Sequence, residues 1–364
     1  MELGIYSFGD VPRDPRTKQL GTTGQAMRNL LEAIRLADEV GLDYFGVGEH
    51  HTYEMPASAA AVILAAAATV TRRIRLGSSV TVLSTDDPVR VYQQFATLDA
   101  LSKGRAEITA GRGSSTESFP LFGFDLGDYD ELFAEKLDLL LKINASERVT
   151  WRGKHRPALD DAVVVPRPDS GALTIWLGTG GNPKSSMRAG LLGLPIAYGI
   201  IGGRPERFAP LAELYRRAAH QAQTPAERIR VSVANPGFIG EDSRATRDLW
   251  FPYWHTTMSE IGAIRGFGAP GREHFEHDAT TGALFVGAPE DVAERIVRLH
   301  ERLGHVRQFF QMDFGGLPHR DFLHAVELLG TRVKPLVEAA LSAGSPTTTP
   351  GPTPATATTP NDGQ

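Results

Sequence analysis

Residues 74–111, IRLGSSVTVLSTDDPVRVYQQFATLDALSKGRAEITAG, decide the fold. The stretch opens on a β-rich run, IRLGSSVTV, and closes on another, RAEITAG. Between them, 88–102 carries apolar residues at helical spacing. Asp87 followed by Pro88 makes a good N-cap and first-turn pair, and Gly104 sits where the helix should stop. Strand, crossover helix, strand is the unit from which parallel sheets are built.

The same alternation runs through the chain. Further strand candidates are LGIYSF (3–8), YFGVGE (44–49), TIWLGTG (174–180), PIAYGII (195–201), IRVSVANPGF (229–238) and RQFFQMD (307–313). Helical patterns cover 25–40, 57–72, 128–143, 183–192, 206–222, 243–259 and 289–303, with a closing helix from about Arg320 to Leu341. Gly41 and Gly104 mark helix ends and Asn182 a start. Eight strands, each followed by a helix, predict an α/β fold, a (β/α)8 barrel over residues 1–343. An open doubly wound sheet is the competing arrangement. Two segments fall outside the repeat: 148–169 reads as a hairpin excursion, and the Gly-rich 260–284 as an irregular lid loop. From Ser345 the chain is mostly Pro, Thr, Ala and Gly, so 344–364 reads as a disordered tail.

Composition removes several function classes. The net charge is −5 with no long basic run, which argues against nucleic acid or an anionic membrane as partner. There are no cysteines, so disulfides, thiolate metal sites and cysteine nucleophiles are excluded. MELGIYSFGD enters a strand directly, without the pattern of a signal peptide, and the longest apolar run, 57–70, is too short to span a bilayer. The expected location is the cytoplasm.

Barrel chemistry sits at the C-terminal ends of the strands, which brings four stretches to one mouth: GEHH (48–51), AGRGSS (110–115), GTGGNPKSS (178–186) and QMDFGG (311–316). Arg112, set between Gly111 and Gly113, suits a phosphate. The amides near Gly181 and Asn182, with the hydroxyl of Ser185, suit an anion at a helix N-terminus. GTGGNP lacks the third glycine of a dinucleotide fingerprint and follows the fifth strand, so no separate nicotinamide domain is indicated. Ser114 and Ser115 lack a G-x-S-x-G elbow, which leaves no support for a hydrolase triad.

Glu49, His50 and His51 could close a strand end, bind a metal or move protons. Alternation along a strand lets at most one of the two histidines face a given pocket. No metal-ligand spacing supports them, and the pair His274 and His277 lies in the irregular segment. A proton-handling histidine beside a cofactor fits better, because an imidazole titrates near neutrality. No metal is expected.

Read together, GEHH, LGSSVTVLSTDDPVR (76–90), LDALSKGR (98–105), AGRGSSTESFPLFG (110–123), GTGGNPKSS, FVGAPEDVAERI (285–296) and QMDFGGLPH (311–319) give the chain a resemblance to bacterial luciferase-like flavin-dependent monooxygenases over residues 1–341. That resemblance implies a barrel enzyme, usually dimeric, which takes reduced FMN from a separate reductase. With O2 it oxygenates a small organic substrate through a flavin 4a-peroxide. It assigns Arg112 with Gly113, and Gly181, Asn182 and Ser185, to the flavin phosphate, and His50 to the flavin edge with Glu49 and His51 beside it. It also implies a non-proline cis peptide at Ser79–Val80, under the isoalloxazine. The luciferase α subunit has a cysteine where this chain has Gly111 and an acidic residue where it has Ser118, so light emission does not follow. Two other readings stay open: hydride transfer with a deazaflavin coenzyme, and non-catalytic flavin binding.

Overall fold

The computed structural model describes residues 1–343 apart from 15, 16, 18, 114, 115 and 267. The proposed tail, 344–364, lies outside the described residues.

Eight parallel strands close on themselves. They are β1 Glu2–Ser7, β2 Tyr44–Val47, β3 Arg75–Ser78, β4 Ala106–Gly111, β5 Thr174–Thr179, β6 Ile196–Gly199, β7 Val231–Ile239 and β8 Arg307–Gln311. Each pairs with the next, and β8 returns to β1 with Glu2 opposite Arg307. The closed ring settles the choice in favour of the barrel. The third strand is interrupted: a cis peptide bond joins Ser79 to Val80, and a short continuation, Thr81–Val82, pairs with the end of β4.

The helices between strands are α1 Thr23–Glu39, α2 Ala60–Val70, α3 Pro88–Ser102, α4 Ser118–Phe122, α5 Tyr129–Ala145, α6 Pro183–Leu191, α7 Ala209–Gln221, α8 Ser243–Arg265, α9 Arg272–Thr281 and α10 Pro289–Leu303. After β8, α11 His319–Leu328 and α12 Lys334–Ala343 are joined by a π-turn over Leu329–Val333. Asp87 caps α3 as its position foretold, accepting from Val89 N at 2.9 Å and Arg90 N at 3.2 Å. Such a cap is worth about 1 kcal/mol. In α2, Leu64, Ala67 and Ala68 turn inward, and their small side chains let the helix lie close to the sheet.

The hairpin excursion forms as expected, with Arg148–Trp151 antiparallel to Leu159–Val163. The lid reading of 260–284 is corrected: α8 runs on to Arg265, and Arg272–Thr281 is helical. Buried Phe275, packed 5.1 Å from Trp254 and 5.2 Å from Phe251 between ring centroids, anchors α9, while an Arg272–Glu276 pair spans one turn. Glycines at 266, 268 and 271 separate two helices rather than mark one long loop.

The floor of the barrel is sealed by charge. Arg307, the first residue of β8, bonds Glu107 on β4 at 2.6 Å and Glu2 on β1 at 2.6 Å. Its guanidinium lies 4.4 Å from the centre of the Tyr44 ring and 4.9 Å from that of Trp176. Burial alone would raise the Glu107 carboxyl; the charge and hydrogen bonds of Arg307 outweigh it and hold the pKa below the usual range. With the floor filled by this ion-pair cluster, the barrel interior opens toward the C-terminal mouth.

Candidate functional site

A cavity of about 340 Å3 opens at that mouth, within the size range of small-molecule and cofactor sites. β2 ends at Val47; the Gly48 N–H still bonds the Ser7 carbonyl at 3.0 Å, while those of Glu49 and His50 turn to Val80 and Ala57, off the β1–β2 ladder. Gly48 permits the turn: a Cβ there would sit 2.1 Å from the Phe8 ring and 2.7 Å from the Ser79 carbonyl. Freed from strand alternation, His50 and His51 both line the cavity. The expectation that only one could do so is corrected, because alternation holds only inside a strand.

Each histidine has its own carboxylate. His50 Nδ1 lies 2.7 Å from Glu117 Oε1, and His51 Nε2 lies 2.9 Å from Glu49 Oε1. Glu49 is fixed further by the Val82 N–H, which donates to Oε2 at 2.9 Å. Burial pushes the Glu117 carboxyl up, but the hydrogen bond from His50 and nearby backbone donors more than reverse this, leaving it below the ordinary carboxylate range. Glu117 is therefore ionised at neutral pH, and the Nδ1 it faces carries the proton. With Nδ1 committed to Glu117, Nε2 is the ring atom left for a cavity ligand. The sequence contained no sign of this pairing. Glu117 sits 67 residues from His50, and only the turn into α4 brings it back.

The Ser79–Val80 bond lies in the cavity wall, flanked by two glycines that cannot be larger. A Cβ at Gly111 would approach Val80 Cγ2 to 2.5 Å, and one at Gly178 would approach Val80 Cγ1 to 2.9 Å. Both glycines keep this wall flat. At Gly180 and Gly199 an added Cβ meets nothing within 4 Å, so their missing side chains leave space in the cavity itself. Ser118 Oγ is buried at the cavity with no hydrogen-bond partner among the described residues. The sequence reading saw Ser118 only as a departure.

Arg112 lines the cavity, held 5.2 Å over the Tyr129 ring and bonded to the exposed Asp130 at 2.5 Å. Gly113 takes a φ of 81°, and the Tyr129 hydroxyl donates to its carbonyl at 2.5 Å. Gly181, Asn182 and Ser185 begin just past Gly180, the last residue of their loop to line the cavity, and form the N-terminal edge of α6. Asn182 caps α6 by accepting from Lys184 N at 2.9 Å. The Gly181 and Asn182 amides reach Thr179 Oγ1 only at 3.3 Å, long contacts that an anion could replace. Ser114 and Ser115 lie outside the described residues.

His274 and His277 are on α9, away from the cavity, where His274 pairs with Asp278 at 3.4 Å. Among the described residues, Asp128, Glu131 and His155 come together at ligand-like distances, also away from the cavity. Glu131 there is bonded to Lys154 at 2.8 Å and sits 3.3 Å from His155, an ion-pair cluster.

A flat wall, an arginine and helix terminus at the rim, and an orphaned buried hydroxyl fit a flavin phosphate and ring. Residues 1–305 match the family described as luciferase-like monooxygenase. The chain is 28% identical to limonene 1,2-monooxygenase of Rhodococcus erythropolis over 320 residues, covering 85% of this chain and 81% of that one. In fold it is similar to the oxygenating constituent of 3,6-diketocamphane monooxygenase of Pseudomonas putida, solved in complex with FMN (TM-score 0.73, 19% identity, 93% of this chain and 98% of that one). It is also similar to an F420-dependent secondary alcohol dehydrogenase solved with an F420–acetone adduct (TM-score 0.70, 17% identity, 92% and 98%).

Proposed function

We propose that this chain, which belongs to the luciferase-like monooxygenase family, uses reduced FMN and O2 to oxygenate a small organic molecule. The observation that carries the reading is the meeting of Arg112, the Ser79–Val80 wall and the His50–Glu117 pair around one cavity. The similarity to limonene 1,2-monooxygenase supports it.

Reduced FMN, when bound, supplies the two electrons with which O2 gives one oxygen atom to the substrate and the other to water. The chain supplies the setting. Arg112 and Gly113, with Gly181, Asn182 and Ser185 at the start of α6, would hold the phosphate, in competition with the Asp130 carboxylate that Arg112 meets. Ser79 and Val80 would support the ring, on a surface that Gly111 and Gly178 keep flat. His50 accepts or returns a proton at Nε2 while Glu117 fixes its tautomer. Glu49 holds His51 alongside. The sealed floor confines water access to the mouth, which favours transfer to substrate over discharge.

The same reading makes the enzyme a homodimer in the cytoplasm, served by a separate flavin reductase. Among the described residues no helix is long and apolar enough to cross a membrane. A second reading, hydride transfer with a deazaflavin, is favoured by the similarity to the F420-dependent alcohol dehydrogenase. Anaerobic titration of the protein with reduced FMN and, separately, with reduced deazaflavin, followed by an oxygen pulse, tests both. Tight FMN binding and an absorbance transient distinct from reduced and oxidised flavin support the oxygenase. Binding of deazaflavin alone, with no transient, replaces it with hydride transfer.

A further inference from the structure

We infer that Asp130 is a built-in competitor at the phosphate site, a charged side chain that keeps the grip of Arg112 on a phosphate loose enough for the ligand to exchange. The inference rests on the flavin reading above for one point, the assignment of Arg112 to a phosphate. The first two residues of α5 act on Arg112 in opposite ways. Tyr129 holds it in place, with the guanidinium 5.2 Å over the Tyr129 ring. That ring is itself fixed: it stacks on buried Phe119 at 5.6 Å between centroids, and its hydroxyl donates to the Gly113 carbonyl at 2.5 Å. Asp130, the next residue, bonds the same guanidinium at 2.5 Å. Leu132 and Phe133 are buried just after it, so this first turn is anchored. The other half of the site repeats the pattern, because the Gly181 and Asn182 amides already face Thr179 Oγ1 at 3.3 Å. The arginine and the amides each have an acceptor of this chain beside them, and of the two acceptors Asp130 carries the charge.

The exposure of the pair sets how strongly it competes. The Asp130 side chain is 80% exposed and that of Arg112 27%, so the contact is solvated and weak. A phosphate monoester brings about two charges and three acceptor oxygens, enough to displace one solvated carboxylate. The displaced carboxylate stays one residue from Tyr129 and repels the phosphate from there. Together these effects hold affinity down by about three- to tenfold. Such a contact suits a ligand that arrives and leaves at each turnover. Asp130 also has a plain structural reading, since an acidic residue favours the N-terminal turn of a helix. Glu131 fills that role beside it. The two readings separate cleanly: neutralising a competitor tightens phosphate binding, whereas neutralising a helix-end charge only weakens the helix.

Fluorescence and calorimetric titrations with oxidised FMN, riboflavin and inorganic phosphate test this on the parent, Asp130→Asn and Asp130→Glu. Asp130→Asn should bind FMN and inorganic phosphate about three- to tenfold more tightly. It should release FMN correspondingly more slowly and bind riboflavin as the parent does. The gain should shrink toward none at about 1 M NaCl, where exposed charges are screened within a few ångströms. Asp130→Glu, which keeps the charge, should stay within about twofold of the parent. FMN affinity in Asp130→Asn equal to or below the parent's, or riboflavin tightened by the same factor as FMN, overturns the inference. Binding of neither FMN nor inorganic phosphate to any of the three proteins overturns it together with the flavin reading. Failure of FMN alone, with inorganic phosphate still tightened in Asp130→Asn, supports the inference and counts against the flavin reading only.

Discussion

Arg307→Met removes the charge that seals the barrel floor. Arg307 and Glu107 have side chains only 2% and 1% exposed, and the guanidinium meets Glu107 twice, at 2.6 and 3.2 Å. After the substitution Glu107 keeps the Trp176 N–H at 2.9 Å and Arg75, at 3.3 Å and itself 43% exposed. Breaking a buried pair by removing one partner costs about 3–5 kcal/mol. The remaining donor and the partial charge of Arg75 set the expectation at the low end, about 3 kcal/mol at pH 7. The loss must also depend on pH. In the parent, Glu107 is held below its ordinary pKa, so its contribution is present above that value and is lost as pH falls through the depressed one. In the variant the buried carboxyl moves up, so the protonated form is favoured and stability is lost as pH rises through the raised value. The gap between the two proteins should therefore shrink from pH 7 to pH 4.5. Urea unfolding followed by tryptophan fluorescence at both pH values measures it. Adding Glu107→Leu should recover most of the loss, since an apolar pair of similar volume is close to neutral. A deficit under about 1 kcal/mol at pH 7, or one that does not change with pH, refutes the argument.

Three further outcomes are expected. Burial pushes Asp313 up to about 6, and burial together with the Asp313 charge holds Asp10 well above its ordinary value. For a raised carboxylate, stability is full below its ordinary pKa and is lost as pH rises through the folded one. Asp313→Asn should thus gain on the parent, by on the order of 1–3 kcal/mol, between pH 4 and pH 7 in thermal or urea melts; a constant difference would contradict this. Arg112→Ala should weaken FMN about 10- to 100-fold, as expected for loss of a charged hydrogen bond, while riboflavin, which lacks the phosphate, binds as before; fluorescence quenching reads both. His50→Ala should lower substrate turnover about 10²- to 10⁴-fold with FMN affinity unchanged. Glu117→Gln should lower turnover less and alter its pH profile, and parent-like turnover in His50→Ala would remove His50 from the reaction.

The barrel was legible because its signals are local. Each strand is a short β-branched or aromatic run, and caps such as Asp87 and Asn182 act within three residues of themselves. The site was legible where it follows from strand ends: Arg112 and the histidines appear where barrel topology puts chemistry. The Ser79–Val80 cis bond was legible only through resemblance, since nothing in the local residues demands it. What the sequence concealed depends on distant contacts. Glu117 reaches His50 only through the turn into α4, and Arg307 reaches Glu107, 200 residues away, only through barrel closure. Residues 260–284 misled because glycines that end and start helices look, in one dimension, like glycines of a loop.

Gly111 and Val80 bear on how such sites change over generations. A side chain at 111, including the cysteine of the luciferase α subunit, would overlap the Val80 methyl that now fills that volume. Neither a drift to cysteine at 111 nor its reversal is independent of residue 80. A larger residue at 111 therefore calls for a smaller residue at 80, or a shift of the Val80 side chain. A single exchange at 111 in this background would therefore read the Val80 clash together with any chemistry of the new side chain.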